Sequence, residues 1–340
     1  MHRARQQDNF IFYDAWRNLD SAILRSADIG QTVIDDLASI KVSVNDIKNY
    51  TWIVDLKPEG IDQNDINHLF LFLTAQGLPP SQFRVAFSCV VDVSVLPYPA
   101  ICLPDRLIYN GNWVMHLDHY HVDWANLDMT HKLVCLMRRP SVSRGTLAKR
   151  LLSKFQLNEL IMTFGTNGVE PSNDIKQLIW PQPYPMIVDR PMADQVFQHR
   201  IDHDFFYRAP VNLVVESSSQ TDSNTWRSIF ITEKTLKSMA WYQFPIWYAV
   251  PGLIDQVRHM GFDVFDDVFY NHEYDKIQDP WVRMTQVVML ARQVCNLDLT
   301  ALRKQHWQRL EKNAELIKQI HTTGISRHTE QLNRLMYDNF

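Results

Sequence analysis

A buried β-strand is predicted by the apolar run KLVCLM at Lys132–Met137, which leads into Arg138-Arg139-Pro140. A helix is predicted to begin near Ser143. Three further apolar runs of strand length alternate with helical patterns downstream, at Leu160–Phe164, Val211–Val215 and Phe244–Tyr248. Strands that alternate with helices indicate a parallel sheet covered on both faces. Ligands of such sheets bind beyond the carboxyl ends of the strands, so we expect a functional site there.

The first third of the chain shows the same alternation. Thr51–Asp55 and Phe83–Phe87 are predicted strands, and Asp65–Gln76 between them has the apolar spacing of a helix. We therefore predict an α/β fold with two Rossmann-like domains that face a central cleft. The predicted bounds are 1–125 for the N-terminal domain, 126–322 for the C-terminal domain and 323–340 for a C-terminal tail. Within the second domain, the amphipathic segment Leu297–His321 is predicted to be helical.

Composition excludes several classes of protein. Apolar residues make up 46% of the chain and charged residues 21%, which is typical of a globular protein. The formal net charge is -4, and the acidic excess in the first third argues against a broad surface for binding polyanions. No apolar run has the length of a signal peptide or a membrane span, so we expect a cytoplasmic protein. The four cysteines lie far apart and contain no CxxC pair, which indicates neither a disulfide framework nor a zinc site.

The most informative stretch combines a strand, a polar loop and a helix start. VVES at Val214–Ser217 ends the strand, and FITEKTLK at Phe230–Lys237 begins the helix. Thr232 is a suitable N-cap, which places Glu233 and Lys234 in the first turn, where backbone N–H groups and the helix dipole favour an anion. Lys234 adds a positive charge for a phosphate group, and the Glu233 carboxylate can accept hydrogen bonds from both hydroxyls of a ribose. The turn therefore predicts a nucleotide diphosphate site.

At these residues the chain resembles the α-1,3-fucosyltransferases of glycosyltransferase family 10 and a related group of phage-type glycosyltransferases. The shared signature is a strand containing a glutamate, a polar loop and an aromatic-Ile-Thr-Glu-Lys helix start, here Glu216-Ser217 and Phe230–Lys234. Phe244-Pro245-Ile246 and Pro251-Gly252 follow in the order that such a domain presents them. The phage-type group is also similar through Gly261–Asp267 and Tyr274-Asp275.

The resemblance implies a GT-B fold in which the C-terminal domain binds a nucleotide-sugar donor. Lys132–Phe164 looks like the start of that domain, where a strand ends in a basic residue that reaches the donor phosphates; Arg138 or Arg139 is the matching position. The implied donor-binding residues are Glu216, Thr232, Glu233, Lys234, Arg138 and Arg139. An acceptor hydroxyl would attack the anomeric carbon with inversion of configuration, without a metal and without a cofactor other than the nucleotide-sugar co-substrate. The implied arrangement also allows the C-terminal helix to cross back to the first domain.

The donor sugar and the acceptor stay open. Ser238-Met239-Ala240 and Phe244-Pro245-Ile246 stand where the fucosyltransferase pattern has an Asn-Ala pair and a Val-Pro-Val strand, so fucose does not follow from the resemblance. The phage-type similarity suggests a modified DNA base, such as a hydroxymethylated one, as acceptor, and a surface glycan is the alternative. In a viral protein, the location would be the host cytoplasm. A different class of function is a catalytically inactive module that only binds nucleotide sugars.

A histidine-rich stretch, His116–Asp123, permits two further interpretations. His116 and Asp118 are the predicted source of the general base that activates the acceptor hydroxyl. Alternatively, the same two residues with a distant His199 or His203 and with Arg208 would form the iron site of a 2-oxoglutarate oxygenase, a chemistry that normally uses a jelly roll of strands.

Asp202-His203-Asp204 imitates the Asp-x-Asp motif with which other glycosyltransferases hold a divalent ion. Short matches of this kind are frequent in acidic loops, and Lys234 with an arginine can neutralise a diphosphate without a metal. We therefore predict no metal site. The chain also contains no GxGxxG and no Walker A sequence, which removes support for a dehydrogenase or a kinase.

Overall fold

The structure is a computed structural model, and it describes residues 4–7, 10–14, 33, 35, 37–56, 63–87, 89–91, 93–104, 128–137, 140–165, 172–179, 186–188, 206, 208–216 and 229–337. These residues form two sheets of five strands with helices between many of the strands. The predicted α/β class is therefore confirmed. Within the described part of the chain, no helix is both long and apolar enough to cross a membrane.

The first sheet follows the order of the chain. Its strands are β1 (Ala4–Gln7), β2 (Phe10–Asp14), β3 (Thr51–Leu56), β4 (Phe83–Phe87) and β5 (Ala100–Cys102), and they are hydrogen-bonded in the order β1-β2-β3-β4-β5. β1 is antiparallel to β2, and the other pairs are parallel. Helix α1 (Gln63–Ala75) connects β3 to β4. Short 3-10 turns precede β3 (Val44–Asn49) and β4 (Pro80–Gln82), and a third (Val93–Val95) precedes β5.

Alternate side chains of β3 and β4 point to the two faces of this sheet, as the two-residue period of a strand requires. On one face, Trp52 and Val85 pack with α1 residues such as Leu69 in a fully buried cluster. On the other face, Ile53 and Ala86 form a separate buried cluster with Leu103 and Leu335. Leu335 comes from the far end of the chain, so a C-terminal helix supplies part of the core of an N-terminal sheet.

The second sheet reverses its order. Its strands are β6 (Leu133–Met137), β7 (Leu160–Phe164), β8 (Met186–Val188), β9 (Val211–Val215) and β10 (Phe244–Tyr248), in the order β10-β9-β6-β7-β8. All neighbours are parallel except β8, which is antiparallel to β7. The chain moves outward from β6 through β7 to β8, and then returns to place β9 on the other side of β6. The sheet therefore has a topological switch point between β6 and β9, where ligands of open α/β sheets bind.

From Val142 onward, nine helices have described bounds: α2 (Val142–Leu152), α3 (Asn173–Ile179), α4 (Glu233–Ala240), α5 (Leu253–His259), α6 (Asp266–Phe269), α7 (Asn271–Asp275), α8 (Pro280–Val294), α9 (Leu299–Gln305) and α10 (Trp307–Tyr337). A further 3-10 turn, Leu157–Glu159, precedes β7. Helix α2 packs against β7, α3 and α8, whereas α4 packs against β9 and β10. Side-chain caps fix several of the helix starts; Asp279, for example, accepts hydrogen bonds from the backbone N–H groups of Trp281 and Val282.

The predicted helix Leu297–His321 is present but differs from the prediction in two ways. It is interrupted at His306, which separates α9 from α10. Beyond His321, α10 continues without a break to Tyr337, so most of the predicted tail 323–340 is helical.

Two compact units emerge from the contacts along the chain. The first comprises Met1–Leu107, Asp222–Phe230 and Thr323–Phe340, and the second comprises Ile108–Thr221 and Ile231–Thr322. The end of α10 thus belongs to the first unit. The predicted boundary near residue 125 lies outside the described residues, as do the strands predicted between 106 and 118.

Candidate functional site

Glu216 directly follows β9 and its side chain is completely buried. Its carboxylate accepts hydrogen bonds from the backbone N–H of Thr232 (3.1 Å), from the Thr232 hydroxyl (2.5 Å) and from the Thr235 hydroxyl (2.5 Å). A buried carboxylate loses its hydration, and several short hydrogen bonds are needed to offset that cost. Glu216 therefore ties the carboxyl end of β9 to the first turn of α4.

Thr232 is the N-cap of α4, as the sequence predicted. Its backbone is extended (φ -102°, ψ 176°), and its Oγ1 accepts a hydrogen bond from the backbone N–H of Lys234 at 3.2 Å. The same oxygen also accepts from the Lys234 ammonium, with Nζ at 3.1 Å. A hydroxyl can donate once and accept twice, so the Thr232 hydroxyl uses its full capacity: it donates to Glu216 and accepts two bonds from Lys234.

Charged side chains lie on the outer side of this turn. The Lys234 Nζ and the Glu233 Oε1 are 3.5 Å apart, and the two side chains are 31% and 24% exposed. Burial by itself raises the pKa of Glu233, but the charges of Lys234 and Lys237, together with hydrogen bonds, outweigh it and hold the pKa below its usual value. Burial lowers the pKa of Lys237; the Glu233 carboxylate opposes this shift and the Lys234 charge adds to it. Two cations and one carboxylate are thus grouped on the first two turns of α4.

The structure changes the expectation that backbone N–H groups at the start of α4 bind the anion. The N–H of Thr232 donates to Glu216, and the N–H of Lys234 donates to the Thr232 hydroxyl. A carboxylate of the protein itself already lies at the positive end of the helix, where an anion is favoured. The groups that remain suited to a phosphate are therefore the side chains of Lys234 and Lys237, rather than these two amides.

Arg144 brings a second helix to the same place. It lies in the first turn of α2, which follows β6 and is capped by Ser141. Its guanidinium is buried, and Nη2 donates to the main-chain carbonyl of Glu216 at 3.3 Å. The first turns of α2 and α4, which follow β6 and β9, thus both contact Glu216. This meeting point is the carboxyl edge of the sheet at its switch point, the position expected for a ligand.

Sequence reasoning did not single out Arg144. A signal was available: a cation in the first turn of a helix opposes the helix dipole, so an arginine there suggests a specific acceptor. Nor did the sequence reveal Thr235, because a threonine inside a helix is commonplace. Lys237 is half-buried in the structure.

Several predicted residues lie outside the described part of the chain. They are His116, Asp118, Arg138, Arg139, His199, Asp202, His203 and Asp204. Arg208 is described, and its Nε donates to the Thr130 hydroxyl at 3.3 Å. Among the described residues, no group of three or more His, Cys, Asp or Glu side chains is arranged to hold a metal ion.

Comparison of the chain with protein-family models, with curated proteins and with solved structures finds no match. The expectations drawn from the resemblance therefore stay predictions. The geometry around Glu216 and the chemistry of the side chains that it holds are the evidence for a function.

Proposed function

We propose that this chain is a glycosyltransferase that binds a nucleotide-sugar donor at the carboxyl ends of β6 and β9. The observation that carries the proposal is the buried network of Glu216, Thr232 and Thr235 at the switch point of the second sheet. An apolar residue in place of Glu216 would serve packing without a desolvation cost. A buried carboxylate that fixes one turn is better explained by what that turn presents, namely Glu233 and Lys234.

In this proposal, Lys234 and Lys237 neutralise the donor diphosphate, and Glu233 accepts hydrogen bonds from the ribose hydroxyls. Arg138 or Arg139, directly after β6, would add a further cation. The acceptor oxygen attacks the anomeric carbon, the bond from that carbon to the phosphate oxygen breaks, and the cations stabilise the nucleoside diphosphate that leaves. A base removes the acceptor proton, and His116 and Asp118 are the proposed source of that base. Attack opposite the leaving group inverts the configuration.

The proposed architecture is GT-B, with the N-terminal domain predicted over 1–125 on the acceptor side. The acceptor is either a modified DNA base or a surface glycan, and the acidic first third of the chain favours the glycan because duplex binding requires neutralisation of phosphates. The oxygenase hypothesis calls for an antiparallel jelly roll, whereas the described strands form two mostly parallel sheets. We further propose that the protein acts in the cytoplasm.

Calorimetry with a panel of UDP- and GDP-sugars tests the donor site. Lys234→Ala is expected to weaken binding about 10- to 100-fold, because a charged hydrogen bond to phosphate is worth about 1.5–3 kcal/mol. Lys312→Ala, which removes an exposed lysine from α10, is the matched control and should leave the affinity unchanged. Glu233→Gln should cost less than Lys234→Ala, since the amide keeps one acceptor. Failure of the wild type to bind any sugar nucleotide, or unchanged affinity in a folded Lys234→Ala protein, contradicts the proposal.

Chelation separates this site from a metal-dependent one. Since side chains supply the neutralising charge, donor affinity should be the same with and without excess EDTA. A loss that manganese restores would instead move the phosphate site to carboxylates such as Asp202 and Asp204. Release of free sugar from the bound donor, or transfer to an acceptor, then distinguishes an enzyme from a module that only binds.

A further inference from the structure

Glu216 cannot contact a donor directly with its carboxylate. The side chain has no exposed surface, and both carboxylate oxygens are bonded to donors on α4. Its main-chain carbonyl accepts from Arg144. Any influence of Glu216 on a ligand must therefore pass through the residues that it holds.

We infer that Glu216 and Thr235 are positioning residues that orient Lys234 through the Thr232 hydroxyl, an inference that rests on the proposed function. The short bond from the Thr232 hydroxyl to Glu216 Oε2 fixes the direction of the hydroxyl hydrogen. Both lone pairs of Thr232 Oγ1 then face Lys234, which donates to that oxygen from its backbone N–H and from Nζ. The buried carboxylate thus helps to fix the ammonium group, which also lies 3.5 Å from the Glu233 carboxylate.

The hydrogen bonds that link Thr235, Glu216, Thr232 and Lys234 form a relay, and Thr235 lies at the end opposite to Lys234. Its hydroxyl, which is also completely buried, donates to Glu216 Oε1, the same oxygen that accepts from the Thr232 N–H. This pair of bonds on Oε1 leaves Oε2 directed at the Thr232 hydroxyl. Loss of the Thr235 hydroxyl would allow the carboxylate to rotate, and the fixed direction of the Thr232 hydrogen would be lost with it.

A glutamine at position 216 reverses one step of the relay. Its amide nitrogen donates rather than accepts, so beside Thr232 it competes with Lys234 for the lone pairs of Oγ1. The size and shape of the side chain are nearly unchanged. The ammonium group of Lys234 should therefore become more mobile while the helix stays in place.

Chemical labelling of the full-length protein tests the relay without any ligand. Acetylation of lysines by an N-hydroxysuccinimide ester, followed by peptide mass spectrometry, gives the reaction rate of Lys234 relative to the exposed Lys312 in the same sample. Glu216→Gln and Thr235→Val are each expected to raise that relative rate about three- to tenfold, the equivalent of one lost hydrogen bond. Thr235→Ser, which keeps the hydroxyl, should retain the wild-type rate.

Thr163→Val is the matched control, because it removes another buried threonine hydroxyl from the same unit. It should destabilise the protein without changing the labelling of Lys234. Equal labelling of Lys234 in the wild type and in a folded Glu216→Gln or Thr235→Val protein overturns the inference. If Glu216→Gln does not fold, the comparison of Thr235→Val with Thr235→Ser decides the question alone.

Calorimetry with the same UDP- and GDP-sugars connects the relay to the donor. Thr235→Val should weaken binding about three- to tenfold, and Thr235→Ser should restore it. The labelling and calorimetry experiments together distinguish a failure of the proposed function from a failure of the positioning role. A wild type that binds no sugar nucleotide but shows the predicted labelling refutes the proposed function and keeps the positioning of Lys234. A wild type that binds donor while Thr235→Val neither changes labelling nor affinity refutes the positioning role.

Discussion

The two sheets have the same number of strands and the same type of edge, but they differ in how their faces become covered. Each contains four parallel strands and one antiparallel edge strand. The described strands of the first sheet follow chain order, whereas the second sheet reverses between β6 and β9. Crossovers between parallel strands are right-handed, so a sheet built in one direction receives its connections on one face. A sheet that reverses receives helices on both faces.

The difference has consequences for both sheets. In the first, the side chains before β3 and those of α1 share one cluster, and the opposite face needs Leu335 from the end of α10. In the second, the crossovers through α2 and α4 run in opposite directions, and α8 also packs against β10. The reversal also creates the switch point at Glu216. The core of the first sheet thus depends on the end of α10, whereas the order of the second sheet reverses next to Glu216.

The largest expected effect comes from removing the Leu335 side chain, which packs on one face of the first sheet. Leu335 is completely buried with Ile53, Ala86 and Leu103. Leu335→Ala should lower the free energy of unfolding by about 3 kcal/mol, the usual cost of a cavity left by a buried leucine. Urea unfolding measures the loss, and amide hydrogen exchange should locate it in β3 and β4 rather than in β9 and β10.

Asn333→Ala is the control, since this neighbouring residue on α10 is exposed. It should change the stability by less than about 0.5 kcal/mol. If Leu335→Ala is equally harmless, or if β9 and β10 lose protection as much as β3 and β4, the dependence of the first sheet on α10 is contradicted.

A smaller effect is expected from the hydrogen bonds between Arg84 and the end of α10. Arg84 on β4 donates from Nη1 to the main-chain carbonyls of Leu335 and, at 2.8 Å, of Met336. The last carbonyls of a helix carry partial negative charge, which favours a cation there. Arg84→Met keeps much of the apolar stem and should cost about 1–2 kcal/mol in urea unfolding. Arg334→Met, which changes an exposed arginine on α10, should have almost no effect; equal losses in the two variants would contradict the role of Arg84.

Much of the second sheet could be predicted from the sequence because its strands are apolar runs. The runs ending at Met137, Phe164, Val215 and Tyr248 all form strands in the structure. The strands β5 and β8 have three residues each, which is too short for a pattern. The sequence pattern did not predict the continuation of α10, because Thr322, Thr323 and Gly324 weaken the helical signal. In the structure, Leu335 packs that segment into the core of the first unit.

The site was predictable in its local parts and not in its long-range ones. The cap at Thr232 and the first turn with Glu233 and Lys234 follow from residue types at adjacent positions. The inward direction of Glu216 does not, because it depends on hydroxyls 16 and 19 residues away. The contact of Arg144 spans 72 residues. Sequence patterns report which residues share a turn, but not which buried groups they meet.

The smallest expected effect concerns an ion pair in the second unit. Its acceptor is a carboxylate that titrates, whereas Arg84 contacts main-chain carbonyls that do not. The Glu159 carboxylate, just before β7, lies 2.8 Å from both Lys132 Nζ and Arg292 Nη1 and accepts from the N–H of Gln156. Burial by itself raises the pKa of Glu159, but these hydrogen bonds and the charge of Lys132 outweigh it and lower the pKa to about 2. Because the folded pKa lies below the unfolded value of 4.5, the stabilisation is fully present above that value and is lost as the pH falls towards 2.

Glu159→Gln should therefore cost about 1 kcal/mol at pH 7, since a partly solvated ion pair is screened by water. The difference between wild type and variant should shrink as urea unfolding is repeated from pH 5 down to pH 3. Glu311→Gln, an exposed position on α10, should show no such trend. At low pH, amide hydrogen exchange should become faster in β6 and β7 of the wild type. Exchange in β4, which contacts α10 through Arg84, should stay the same, because the arginine and the main-chain carbonyls keep their charge states. A difference between wild type and Glu159→Gln that stays constant from pH 7 to pH 3 would show that Glu159 is not the acid-sensitive tie of the second unit.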